Sequence, residues 1–361
     1  MKQHSRREFV KYAVGGALIF AVPGRAGAAD EVAPELRARA VALLDSTLSV
    51  DMHSHGGGIA SRRDNMSNVG ESMRQGRLSA MCLALVSDSP VTAYSGTKIA
   101  ATREPKPGEL HAHVLKRMEF ADRLIEKYGM TRVFTTADLQ ASKKKGSAGV
   151  ILAVEGSDFL DGKLDPLQVA YDRGVRHWQL VHYRAQNGLA DIQTEEPIHN
   201  GSSAFGLDVV RECNRLGMVV DVAHATLAAV KQFAKVSTTP LVLSHTSFDP
   251  RPKKLSRRIA ADHAKLVAET GGVIGVWANG GVFDGFAAYA EGLAKFAEAV
   301  GVDHVGVGTD LSGMPHPMFS SYVDFPELVA HFFKHFNDEE VKKVVGGNYL
   351  RVFDKATKPR A

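Results

Sequence analysis

Six places in the chain bring an imidazole or a carboxylate to the end of a short apolar run. They are Asp51-Met52-His53-Ser54-His55, Val154-Glu155-Gly156, Val181-His182, Asp221-Val222-Ala223-His224, Ser244-His245 and Gly308-Thr309-Asp310. Imidazole nitrogens and carboxylate oxygens are the donors that borderline divalent metals such as zinc take. Each residue alone has a plainer reading: a hydrogen-bonded structural histidine, an ion-pair partner for Glu155, a turn residue for Asp310. Six such endings form a pattern, and a chain with 15 histidines can supply it. His53 and His55 are two apart, so both reach one site only where the strand has ended and the chain is turning. Gly56-Gly57-Gly58 supplies that freedom. His111, His113, His263, His316, His331 and His335 lie outside the pattern and read as surface or local-structure residues. Lys143-Lys144-Lys145 reads as a solvated helix end or loop.

The elements that must position these residues are eight apolar runs: Leu48–Asp51, Ser79–Val86, Gly149–Val154, His177–Val181, Gly217–Val222, Pro240–Leu243, Val273–Val276 and His304–Val307. Runs this short and continuously apolar suit parallel strands buried on both faces. Helical patterns lie between them, among them Phe205–Leu216, Ala261–Thr270, Phe286–Val300 and Pro326–Phe336. Repeated strand–helix units in one chain of this length predict an α/β fold, a (β/α)8 TIM barrel. In that fold the C-terminal strand ends form one rim, where active sites sit. A doubly wound open sheet is the alternative. The segments Ser87–Pro107 and Gln186–Ser203 read as insertions.

Hydrophobic residues make up 44% and charged residues 23% of the 361, which excludes wholesale disorder. Two cysteines, Cys82 and Cys213, exclude a disulfide scaffold and a cysteine-ligated zinc module, and both read as buried thiols. The formal net charge is +4, and residues 1–28 carry all of it. The remainder has no basic excess, so the electrostatic case for nucleic acid or an anionic membrane surface is lost. Those first residues read as an address. Arg6-Arg7 precedes the apolar stretch Tyr12 to Val22, and Ala26 and Ala28 form a small-residue cleavage site. As a helix that stretch spans about 16 Å, too short for a bilayer core of about 30 Å. The expectation is a twin-arginine signal peptide over 1–28, read by the twin-arginine export machinery. A single barrel domain over 29–361 would then be delivered to the periplasm. An uncleaved anchor and a cytosolic tail are the alternatives.

The ordered set of motifs resembles the membrane dipeptidase (renal dipeptidase) family of metal-dependent amidohydrolases. The most specific stretch runs from Phe205 to Met218 and on through Asp221-Val222-Ala223-His224. Pro240 to Ser247, Gly271 to Val276, Gly306 to Asp310 and Gly346 to Phe353 follow in order. The resemblance implies a zinc-dependent dipeptidase with two divalent metal ions per chain. Glu155 would bridge them, with His53, His55 and Asp310 on one and His224 and His245 on the other. His182 would face the substrate and donate to the developing oxyanion. Asp310 would move the proton from water to the leaving amine, and Arg258 would clamp the carboxylate of a small peptide substrate. A D-residue at the C-terminal position and a homodimer are compatible with it. The chain departs from the family at three places. His55 stands where Asp is usual, Leu311-Ser312-Gly313 where Phe-Asp-Gly is common, and the loop Phe248 to Arg257 is longer, which leaves Arg257 as the alternative to Arg258. These departures keep open a related amidohydrolase acting on an N-acyl amino acid, a lactone or an exported peptide metabolite. A non-catalytic periplasmic binding protein on the same fold is the other rival.

Overall fold

The computed structural model describes residues 32–60, 65–96 and 98–358; the expected signal peptide lies outside the described residues. Eight parallel strands follow the eight apolar runs: β1 (Val50–Ser54), β2 (Ala80–Val86), β3 (Gly149–Glu155), β4 (Val175–Gln179), β5 (Val219–Asp221), β6 (Leu241–Phe248), β7 (Val273–Val276) and β8 (Val305–Val307). They pair in chain order from β1 to β8. The seam is joined where the Asp310 N–H donates to His53 O at 2.9 Å and the His55 N–H to Leu311 O at 2.8 Å. The result is a near-closed barrel of the TIM type rather than an open sheet. No helix among the described residues is long and apolar enough to cross a membrane.

Strand side chains alternate between two cores, as the period of two requires. Met81, Leu83 and Leu85 of β2 and Val150, Leu152 and Val154 of β3 pack outward in the larger cluster beneath the helices. Ala80, Cys82, Ile151 and Ala153 point into the barrel. There they meet Tyr349 and Phe353 of the C-terminal helix Asn348–Thr357, which packs against the inward side chains of the strands. Helix Ala204–Leu216 buries Val209, Val210, Cys213 and Leu216 on one face, starts at the Ser203 cap and ends at Gly217 with φ 80°. The expected helix Pro326–Phe336 stops at Phe332.

The segment Ser87–Pro107 is more than an insertion. It holds a hairpin of Thr92–Ser95 with Lys98–Ala101, whose Tyr94 hydroxyl donates to Gly313 O at 3.0 Å. Lys143 is not purely solvated, because its ammonium donates to the carbonyls of Leu44 and Thr47. His263 and His331 are buried rather than on the surface. Both cysteines are buried and free.

Candidate metal centre

All six predicted strand ends meet at one rim. β1 delivers His53 and His55, helped by a register irregularity between Asp51 and Ser54. The turn after it needs glycine: Gly58 has φ 86°, and a Cβ there would stand 2.0 Å from Asn65 O. β3 ends in Glu155. His182, His224 and Asp310 lie in the loops just beyond β4, β5 and β8, and His245 lies within β6. His224 and Asp310 adopt left-handed backbone, with φ 69° and 55°. Such a conformation is sparsely populated for residues with a Cβ and clusters at functional sites.

Glu155 is the hub and is 2% exposed. Its Oε1 lies 3.4 Å from His53 Nε2, 3.3 Å from His182 Nε2, 3.5 Å from His224 Nε2 and 3.7 Å from His245 Nε2. Its Oε2 lies 3.3 Å from His55 Nε2, and no donor is aligned to it. His55 Nε2 is also 3.2 Å from Asp310 Oδ1 and 3.3 Å from His53 Nε2. His224 and His245 face each other at 3.0 Å. Donor atoms close enough to share an ion form three overlapping sets: His53, His55 and Asp310; His53, Glu155 and His245; Glu155, His182 and His224. His182 therefore stands as near the hub as the other imidazoles.

The electrostatics suit cations. Burial alone would raise the Glu155 pKa, but His182, His53 and His224 hold it well below the usual carboxylate range. Burial keeps His224 and His245 neutral, with Arg257 adding to the effect on both and His53 on His245, so their nitrogens offer lone pairs. Burial also opposes charge on His55, yet Asp310 and Glu155 outweigh it and push its pKa up to about 10. That is the response of an imidazole to a surplus of negative charge that a cation would relieve. Converging ring nitrogens, a buried carboxylate oxygen without an aligned donor and this imbalance fit a divalent metal centre.

Residues outside the predicted set hold the cluster. Asp88 Oδ1 takes His182 Nδ1 at 2.6 Å, and its Oδ2 accepts the Tyr183 N–H at 3.0 Å. Ser244 Oγ lies 2.9 Å from His245 Nδ1 and 3.4 Å from His53 Nδ1. Trp277 Nε1 donates to Asp310 Oδ2 at 3.0 Å. Gly313 gives room, since a Cβ there would meet Asp310 Oδ1 at 2.0 Å. Sequence spacing flags neither Asp88 nor Trp277, because Asp88 sits in a segment that reads as an insertion and Trp277 follows a strand with no imidazole.

The cluster forms the floor of a cavity of about 540 Å³. Tyr94, Ile99, Met314, Pro315 and His316 contribute apolar and aromatic wall, and His316 is an exposed residue at the cavity, as its surface reading expects. The structure turns the two candidate arginines to opposite sides, and Arg258 away from the cavity. Arg258 pairs with β6 in a short strand, Arg258–Ile259, and turns outward to Asp249 at 3.4 Å with nearly half its side chain exposed. Successive residues of extended chain point to opposite sides, so its neighbour Arg257 turns inward. Arg257 is 8% exposed, lines the cavity, donates to Gln193 Oε1 and to His245 O, and keeps a buried Nε without a partner.

A parallel eight-stranded barrel carrying a histidine–carboxylate cluster at its C-terminal rim has the build of a metal-dependent barrel hydrolase. Residues 39–361 match the family model described as membrane dipeptidase (peptidase family M19), and the chain belongs to that family. Dipeptidase verJ of Clonostachys rogersoniana is 28% identical over 254 residues, covering 66% of this chain and 64% of that protein, just under two thirds of its length. An amidohydrolase from Pseudomonas aeruginosa shares the fold with a TM-score of 0.71 at 20% identity, covering 88% of this chain and 98% of that one. A metallo peptidase from Rhodobacter sphaeroides, solved with a phosphinate mimic of the dipeptide L-Ala-D-Ala, gives 0.73 at 18%, with 86% and 99% covered.

Proposed function

We propose that the protein is a metal-dependent dipeptidase that holds two zinc ions and hydrolyses the amide bond of dipeptides. The observation that carries this reading is Glu155, shared by overlapping donor sets at the floor of a cavity that also contains a buried arginine. His53, His55 and Asp310 would hold one ion and His224 and His245 the other, with Glu155 between them. When bound, such ions supply Lewis acidity, lowering the pKa of water and polarising a carbonyl.

The chain's own residues do the rest. Asp310, steadied by Trp277, takes the proton from the attacking water and returns it to the leaving amine. His182 is raised in pKa: burial opposes its charge, but Asp88 and Glu155 prevail. With Nδ1 on Asp88, its Nε2 faces the floor of the cavity, 3.3 Å from Glu155 Oε1, and donates to the oxyanion once substrate is bound, a role worth about 10²–10³ in rate per donor. Arg257 receives the substrate carboxylate by a bidentate pair, which selects dipeptides over longer chains. A cavity of this size suits a small peptide. The family resemblance, and a relative that accommodates a mimic of L-Ala-D-Ala, support a D-residue at the C-terminal position. The Arg6-Arg7 head supports export to the periplasm by the twin-arginine route.

A screen of zinc-loaded mature protein against a dipeptide library with D-isomers tests the reading, with N-acyl amino acids and lactones as comparators. Dipeptides should lead by at least tenfold in kcat/KM. Preference for an acylated amino acid or a lactone would overturn the dipeptidase assignment, and no turnover of any compound would favour a binding protein.

A further inference from the structure

Two carboxylates that the mechanism leaves unused are fully buried: Asp51 of β1 and Asp221 of β5. Each lies under one half of the cluster and makes the same kind of contact. Asp51 Oδ1 accepts the N–H of Thr309 at 2.8 Å and of His53 at 3.3 Å. Its Oδ2 accepts the Thr309 hydroxyl and the Tyr322 hydroxyl, the latter at 2.6 Å. Asp221 Oδ1 accepts the N–H of Ala223 at 2.9 Å and of Ser244 at 3.0 Å. Its Oδ2 faces His177 Nε2 at 3.0 Å, and His177 Nδ1 meets the Tyr349 hydroxyl at 3.0 Å.

The residues held this way are not arbitrary. Thr309 immediately precedes Asp310, and Ala223 immediately precedes His224, the two cluster residues with left-handed backbone. Ser244 immediately precedes His245, and His53 is held directly. One carboxylate oxygen in each half therefore ties two adjacent strands together, at His53 itself and one residue before Asp310, His224 and His245. Strained backbone persists only where its surroundings over-determine it, and β5 and β8 end at Asp221 and Val307, short of His224 and Asp310. We propose that Asp51 and Asp221 are positioning residues, Asp51 for the His53–Asp310 half of the metal centre and Asp221 for the His224–His245 half. The inference rests on the metal-site reading above.

The test is zinc binding, read as ions per chain and as stepwise affinity by chelator competition, alongside thermal unfolding of the metal-free proteins. Asp51→Ala and Asp221→Ala should each weaken one of the two zinc ions by about 10- to 100-fold, the range typical when a ligand's supporting contact is lost. Asp51→Asn and Asp221→Asn keep an amide oxygen as acceptor and should restore affinity to within about threefold of wild type. A general loss of packing would not show this rescue. Site assignment comes from combination. Asp221→Ala should add little to His245→Ala but its full effect to His55→Ala, and Asp51→Ala should do the reverse. Tyr322→Phe and His177→Phe, which leave each carboxylate in place, should weaken the same respective ions by a smaller factor, and they remain informative should the alanine variants not fold. Wild-type affinities in the alanine variants, or equal effects in both backgrounds, would overturn the proposal while leaving the metal site standing. A wild-type protein that binds no zinc would instead remove the reading on which it rests.

Discussion

Arg257 and Arg258 are adjacent, chemically identical and placed in opposite environments, so replacing each in turn isolates position from chemistry. Arg257 is 8% exposed at the cavity wall, whereas Arg258 is exposed beside Asp249. If Arg257 receives the substrate carboxylate, Arg257→Ala removes two charge-assisted hydrogen bonds, worth about 1.5–3 kcal/mol each before desolvation is set against them. A net loss of about 3 kcal/mol corresponds to roughly 10²-fold in kcat/KM. Arg258→Ala, a surface change, should alter kcat/KM by about twofold or less. Arg257→Lys keeps the charge without the planar fork and should fall between wild type and Ala. The assay is steady-state hydrolysis of one dipeptide and of its C-terminal amide. The amide lacks the carboxylate, so wild type and Arg257→Ala should process it within about threefold of each other, which separates lost recognition from damage to the metal cluster. The carboxylate role is refuted if Arg257→Ala costs the amide and the acid equally, or if Arg258→Ala is the more damaging change.

Glu155→Gln should lower bound zinc from two per chain and abolish hydrolysis, because one carboxylate is shared by both halves; full metal content with near-normal turnover would remove Glu155 from the site. His55→Ala should lose one ion, while His55→Asp should keep two and shift the acid limb of the pH–rate profile upward, since an added negative charge makes water in the site harder to deprotonate; two ions in the Ala variant would show that this imidazole is not a ligand. Burial pushes the His263 pKa down from 6.5 to about 4, so the unfolded chain takes up that proton first and stability falls as pH drops below 6.5. Between pH 7 and 5 this group should cost about 2 kcal/mol in urea unfolding, and His263→Leu should flatten the decline by that amount; an unchanged slope would contradict the burial argument. Replacing Arg6 and Arg7 with Lys should trap the precursor in the cytoplasm, and normal periplasmic recovery would exclude the twin-arginine route.

Strand order and rim position were legible because each apolar run of the sequence is a strand and six of the eight end in an imidazole or a carboxylate. Period and position alone put His53, Glu155, His224, His245 and Asp310 on one rim. What the sequence did not show follows from contacts between distant segments. Asp88 reaches His182 across 94 positions, and Trp277 reaches Asp310 across 33. Neither spacing repeats a helix or strand period. The Arg257 and Arg258 pair turned on which residue faces inward, and that depends on a two-residue strand pairing with β6 that no hydrophobic pattern announces. Asp51 and Asp221 carry a signal of their own in the sequence. A carboxylate inside an otherwise apolar strand must be satisfied there, and each stands two or three residues before a donor histidine.

Anomalous diffraction at the zinc edge, from crystals of the zinc-loaded mature protein, measures the two-metal centre directly. Two peaks should appear, one among His53, His55 and Asp310 and one between His224 and His245, with the Glu155 carboxylate reaching both. A single peak, or peaks away from Glu155, would contradict a shared two-metal site on this barrel.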